Sequence, residues 1–102
     1  MEIQINKKEN VAEVSLIGRL DTPASLVAAP AFAKIEEEDT AGTVVLTCCE
    51  MSYISSSGLR LFLSLRKAAA SKGGKIIVKG INKDIRNVFM MTGFLNLFDI
   101  QD

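Results

Sequence analysis

At 102 residues the chain has the size of one domain with a single core. Twelve Lys+Arg against twelve Asp+Glu give a formal net charge of zero, so no long-range field gathers nucleic acid or an anionic membrane surface. Histidine is absent, which removes the usual general base and excludes Ser-His-Asp and Cys-His catalysis within the chain.

With 48% hydrophobic residues, 6% aromatic and no tryptophan, the composition is that of an ordered globule packed on aliphatic side chains. There is no basic segment followed by an apolar leader, and no run approaches the ~18 apolar residues needed to span a bilayer. The expectation is a cytoplasmic protein with no membrane insertion. Cys48 and Cys49 are adjacent, neither a C-x-x-C spacing nor half of a zinc site, and read as structural thiols near a strand end. Nothing in the sequence calls for a metal or a cofactor.

Ile3 and Ile5, then Val14 and Leu16, alternate with polar residues, which predicts an antiparallel hairpin over about residues 2–6 and 11–17 near one edge of a sheet. Asp21 or Thr22 can cap a helix from about Pro23 to Glu38, whose first turn accepts a proline. Pro30 lies well inside that helix and predicts a kink or break near Ala29. Its acidic end, Glu36 to Asp39, reads as a solvated face rather than a cation site.

Thr43 to Cys48 is apolar and β-branched, as expected of a central strand covered on both faces. Ser55-Ser56-Ser57-Gly58 is a polar turn leading to a helix over about Ser57 to Lys72. Its polar positions Arg60, Ser64, Lys67 and Ser71 form one narrow stripe, so the helix is largely buried. Gly73-Gly74 ends it, and a strand at Lys75 to Lys79 should run parallel to the previous one through a right-handed crossover. Asn82 caps a third helix over about Lys83 to Thr92, closed by Gly93, with a short last strand near Leu97 to Ile100. The order ββαβαβαβ gives an α/β fold, a mixed sheet with packed helices in one domain over residues 1–102.

The serine turn admits four readings. It is a helix cap with spare hydroxyls, a phosphate-cradling loop that lacks both glycine-rich signatures, a nucleophile that lacks its base, or a serine that is itself phosphorylated. The last fits the physics best, because a helix N-terminus supplies free N–H groups and a dipole that favours an anion.

Several stretches together resemble the STAS domain, and more narrowly the bacterial anti-sigma-factor antagonists. They are Gly18-Arg19-Leu20-Asp21 before a helix, Val44-Val45-Leu46 leading through Met51-Ser52-Tyr53-Ile54 to Ser55-Ser56-Ser57-Gly58-Leu59, the Gly-Gly-Lys strand, and Met91-Thr92-Gly93-Phe94. The resemblance implies a STAS-like mixed sheet and a partner switch. In it the unmodified domain binds an anti-sigma factor with serine kinase activity, which then releases its sigma factor, until phosphorylation by that kinase ends the binding. A PP2C-type phosphatase is the candidate for reversal. In the family's Asp-Ser-Ser-Gly or Asp-Ser-Thr-Gly turn the serine after the aspartate accepts the phosphate, which corresponds to Ser56, and Ser55 stands where the aspartate would be. Asp21, Thr22, Ser55, Ser57, Gly58 and Leu59 are the implied partner-binding residues. Many relatives carry a further C-terminal helix beyond the last expected strand, and its absence here would uncover part of the sheet or a partner surface. The other readings are a STAS protein serving another partner, such as the cytoplasmic subunit of a lipid-transporter ATPase, and a domain whose turn binds a nucleotide or lipid.

Overall fold

The computed structural model describes residues 1–102. Strands β1 (Glu2–Lys8) and β2 (Val11–Leu20) form the hairpin, and helix α1 (Thr22–Glu38) leads to β3 (Thr43–Ile54). Helix α2 (Ser56–Lys72), β4 (Lys75–Lys79), α3 (Lys83–Thr92), a 3-10 turn (Phe94–Asn96) and β5 (Asp99–Gln101) complete the chain. The sheet order is β1-β2-β3-β4-β5, with β1 antiparallel to β2 and every other pair parallel. The expected α/β mixed sheet is therefore present, with the hairpin at one edge through β1 and β5 at the other.

Right-handed crossovers between strands that neighbour each other in sequence put α1, α2 and α3 on one face of the sheet. The side chains that alternate towards that face make the core: Val14 and Leu16 from β2, Val44 and Leu46 from β3, Ile76 and Val78 from β4. From the other side the core is filled by all five phenylalanines. Phe62 of α2 stands at their centre, 6.1 Å from Phe32, 6.2 Å from Phe89 and 6.2 Å from Phe98 between ring centroids. Phe94 completes the group, 5.5 Å from both Phe89 and Phe98. These spacings suit edge-on and offset aromatic contacts.

Six sequence expectations need correction. Strand β3 is covered on one face only, since the three helices share a side and Thr43, Val45 and Thr47 on the other are only half-buried. Helix α2 is less buried than expected, with Gly58, Leu59, Phe62, Leu65 and Ala69 alone in the core. Helix α1 runs unbroken through Pro30, because Pro30 is on the solvent side and Ser25, Ala28, Phe32 and Ile35 hold the opposite side in the core. The carbonyl that proline leaves without a helical partner belongs to Leu26, itself on the exposed side of the helix. Strand β3 continues six residues past Cys48, to Ile54. Its pairing with β2 shifts register twice, between Ser15 and Ile17 and between Gly18 and Arg19. Each shift is a bulge, and each interrupts the alternation that would have marked the strand. Helix α2 starts one residue earlier than expected, at Ser56. Finally, β5 begins at Asp99 rather than Leu97, since the 3-10 turn is needed to set both Phe94 and Phe98 inward.

The acidic end of α1 is tied down on two sides. Lys7 pairs with Glu38 and Asp39 at 3.3 Å each, contacts that raise the Lys7 ammonium above its ordinary pKa, Asp39 contributing most. Lys72 donates to the carbonyls of Glu36 (2.8 Å) and Glu37 (3.0 Å), covering C-terminal carbonyls that α1 itself leaves open. The two cysteines diverge. Cys48 is buried in the core, where desolvation, with a smaller push from Cys49, raises its thiol to about 12, whereas Cys49, within the same register shift, is exposed. Cys48 thus behaves as a small apolar side chain.

Candidate functional site

The site lies at the carboxyl ends of the parallel strands, where open α/β sheets bind their ligands. Leu20 of β2 is paired with Ile54 of β3, so the next residues, Asp21 and Ser55, sit side by side, and each caps a helix. Asp21 Oδ1 accepts from Ala24 N at 2.9 Å. Ser55 Oγ accepts from Gly58 N at 3.2 Å and donates to the Leu20 carbonyl at 3.0 Å. That carbonyl also accepts from Ser55 N at 2.9 Å. The N-termini of α1 and α2 are thus stitched together through Leu20. The third helix joins them, since Asn82 caps α3 through a 2.8 Å bond from Ile85 N and sends its Nδ2 to Met51 O at 3.4 Å.

This arrangement explains how serine serves at position 55. A hydroxyl can accept from Gly58 N–H and donate to the Leu20 carbonyl at once, whereas an ionised carboxylate has no proton to donate. No acidic residue is present in the first turn of α2. The N-terminus of α2 therefore keeps its partial positive charge, with Asp21 on the neighbouring strand end as the adjacent carboxylate.

The predicted residues separate cleanly by depth. Ser56 is exposed at the first position of α2, its hydroxyl in no hydrogen bond within the chain. Ser57 is half-buried, Thr22 is exposed and Asp21 is half-buried, all at the same end of the sheet. Ser55 is buried and engaged at both ends of its hydroxyl. Gly58 and Leu59 are also buried, beneath the surface a partner would touch. Their place is underneath it, supporting the serines from inside.

Gly58 shows what that support requires. Its backbone is ordinary right-handed helix, so no positive φ calls for glycine there. The demand is spatial: a Cβ would lie 2.9 Å from Leu20 Cγ, Leu20 Cδ2 and Ile54 Cγ1. Overpacking of this kind costs about 1–3 kcal/mol, and alanine's better helix propensity returns up to about 1 kcal/mol. Gly58→Ala is therefore expected to lower the free energy of unfolding by about 1 kcal/mol in a urea titration. A midpoint equal to or above that of the parent would show that Leu20 and Ile54 yield freely.

Two features escape the sequence. Arg19 and Tyr53 face each other across β2 and β3, with the guanidinium 4.4 Å from the ring centroid, a cation–π contact two residues before the two caps. It is invisible until the register is known. The other is Arg60, four residues after Ser56 and exposed like it, which reads as part of a polar stripe until Ser56 is fixed as the first helical residue.

The ends of the parallel strands thus feed capped helix N-termini, with an exposed serine at the head of one of them. The STAS domain family model matches residues 2–102, and the chain belongs to that family. It is 22% identical over 100 residues to the anti-sigma-B factor antagonist of Bacillus subtilis (strain 168), covering 98% of this chain and 90% of the relative. It is 24% identical over 102 residues to the anti-sigma F factor antagonist of Paenibacillus polymyxa, covering 100% of this chain and 87% of that one. Among solved structures, it superposes on the Bacillus cell fate determinant SpoIIAA in its phosphorylated form with a TM-score of 0.75 at 19% identity, over 97% of this chain and 90% of that one. At such identity the superposition speaks to the fold.

Proposed function

We propose that this protein is an anti-sigma-factor antagonist: it binds an anti-sigma factor with serine kinase activity, and phosphorylation of Ser56 by that kinase ends the binding. The observation that carries this reading is the exposed, unengaged hydroxyl of Ser56 at the head of α2, next in sequence to the Ser55 that neighbours Asp21, in a STAS chain whose relatives bear anti-sigma antagonist names. Asp21, Thr22, Ser56 and Ser57 form the contact surface, with Ser55, Gly58 and Leu59 shaping it from below. One turn along α1, Leu26 (75% exposed) and Val27 (80% exposed) give that surface an apolar flank, the kind of patch that marks a protein interface.

In the modification step the Ser56 Oγ attacks the γ-phosphorus of ATP held by the kinase. The Oγ–P bond forms, the bond from that phosphorus to the β,γ-bridging oxygen breaks, and ADP leaves. The hydroxyl proton goes to a base on the kinase, since the chain offers no histidine of its own. The antagonist is substrate and ligand in this scheme, with the catalysis on the partner.

The folded chain tolerates the product. Phosphoserine brings a charge of about −1.5 to −2 to a helix N-terminus whose dipole and free N–H groups favour it. Incubation with the cognate anti-sigma kinase and ATP, followed by mass-spectrometric site mapping, tests the assignment. Phosphate on Ser56 alone is expected, because the Ser55 hydroxyl is buried and doubly bonded. Phosphate on Ser55 or Ser57 would overturn the register, and none on any serine would overturn the switch.

A further inference from the structure

Of the chain's four arginines, three are engaged within the fold. Arg19 stacks on Tyr53, Arg66 donates to the Leu97 carbonyl at 2.7 Å, and Arg86 pairs with Asp102 at 2.8 Å. Arg60 is exposed and takes part in no hydrogen bond, ion pair or aromatic contact. Its neighbours three and four positions away along α2 are Ser56, Ser57, Leu63 and Ser64, none of them acidic. The one carboxylate seen near this stripe is Glu36 of α1, held by Ser64 Oγ at 3.0 and 3.1 Å.

Residues four apart on a helix face each other, and an anion at the N-terminal member with a cation at the C-terminal one is the favourable order. Ser56 and Arg60 have that spacing, both open to solvent, at the end of α2 where an anion is already favoured. A guanidinium also forms paired bonds to phosphate oxygens, which an ammonium cannot match.

We propose that Arg60 is a latch for the phosphate of phosphorylated Ser56. In the unmodified chain the side chain is free for a partner's carboxylate. In the modified chain it folds back one turn onto the phosphate, so that phosphorylation adds a charge and withdraws a cation from the interface in one event. The latch also shields the phosphate and prolongs the modified state. Its place in a switch rests on the reading of Ser56 as phosphoacceptor, but the pair itself does not depend on any kinase.

The test therefore uses full-length chain carrying phosphoserine installed at position 56 during synthesis, as parent and as Arg60→Gln. Phosphorylation is expected to raise the melting temperature by about 3 °C more in the parent than in Arg60→Gln, the scale of a helical charge pair in a domain of this size. The two unmodified chains should melt together, since Arg60 is exposed and glutamine is a comparable helix former. Arg60→Lys should recover part of the increment. A broad-specificity serine phosphatase should release phosphate about twofold faster from Arg60→Gln, the rate factor such a pair energy supplies. Equal increments in the two chains, or equal release rates, overturn the latch. A kinase that leaves Ser56 unmodified would instead sink the proposed switch, with the pair still measurable on the synthetic phosphoprotein.

Discussion

Ser56→Asp is expected to lower affinity for the anti-sigma partner by at least about 100-fold while leaving the domain folded, a loss of roughly 3 kcal/mol. The two halves of that expectation have separate causes. Ser56 is exposed at the first position of α2, so a carboxylate there crowds nothing inside the chain and meets the favourable end of the helix dipole. In a complex the same carboxylate would be desolvated against a surface shaped for a neutral hydroxyl, and an unpaired buried charge is costly. Ser56→Ala removes only an unengaged hydroxyl and should bind like the parent while refusing phosphate. Isothermal titration of the three chains against the partner measures both effects. Undiminished binding by Ser56→Asp would mean that the charge at this position does not control the interface.

The largest effect on stability is expected from Phe62→Ala, about 3–5 kcal/mol. Phe62 is fully buried and touches phenylalanines contributed by α1, by α3 and by the segment leading into β5. Its removal opens a cavity between helices that are held together by that ring, and neighbouring aromatic rings cannot collapse far to fill it. Since domains of this kind are stable by about 5–15 kcal/mol in total, the variant should unfold at a much lower denaturant concentration. Guanidinium unfolding followed by circular dichroism gives the number. A loss below about 1 kcal/mol would show that the cluster repacks, contrary to the geometry seen here.

Much of this fold could be read from local chemistry. The caps at Asp21 and Asn82, and the glycines at 73 and 93 that end α2 and α3 in left-handed conformation, act within a few residues of themselves and leave a direct trace in the sequence. The apolar stretches of β3 and β4 are equally plain. What was not legible depends on partners far along the chain. Cys49 to Ile54 belongs to β3 only because two bulges let it stay paired with β2, and those bulges erase the period-two pattern. The unbroken path of α1 depends on Pro30 facing solvent, which is decided by how the helix packs and not by the proline. At the site, the family resemblance names Asp21 and the serine turn together. That Ser55 is the residue next to Asp21 follows only from the pairing of Leu20 with Ile54, and so does the burial of Gly58 against Leu20. Arg60 acquires meaning only after Ser56 is placed at the first helical position.

Control of binding by one hydroxyl at the head of α2 is tested most directly by titrating an anti-sigma kinase with the chain before and after stoichiometric phosphorylation of Ser56. The unmodified chain is expected to bind and to lose at least about 100-fold in affinity on phosphorylation, with the circular dichroism spectrum unchanged. Equal affinity of the two forms would contradict it.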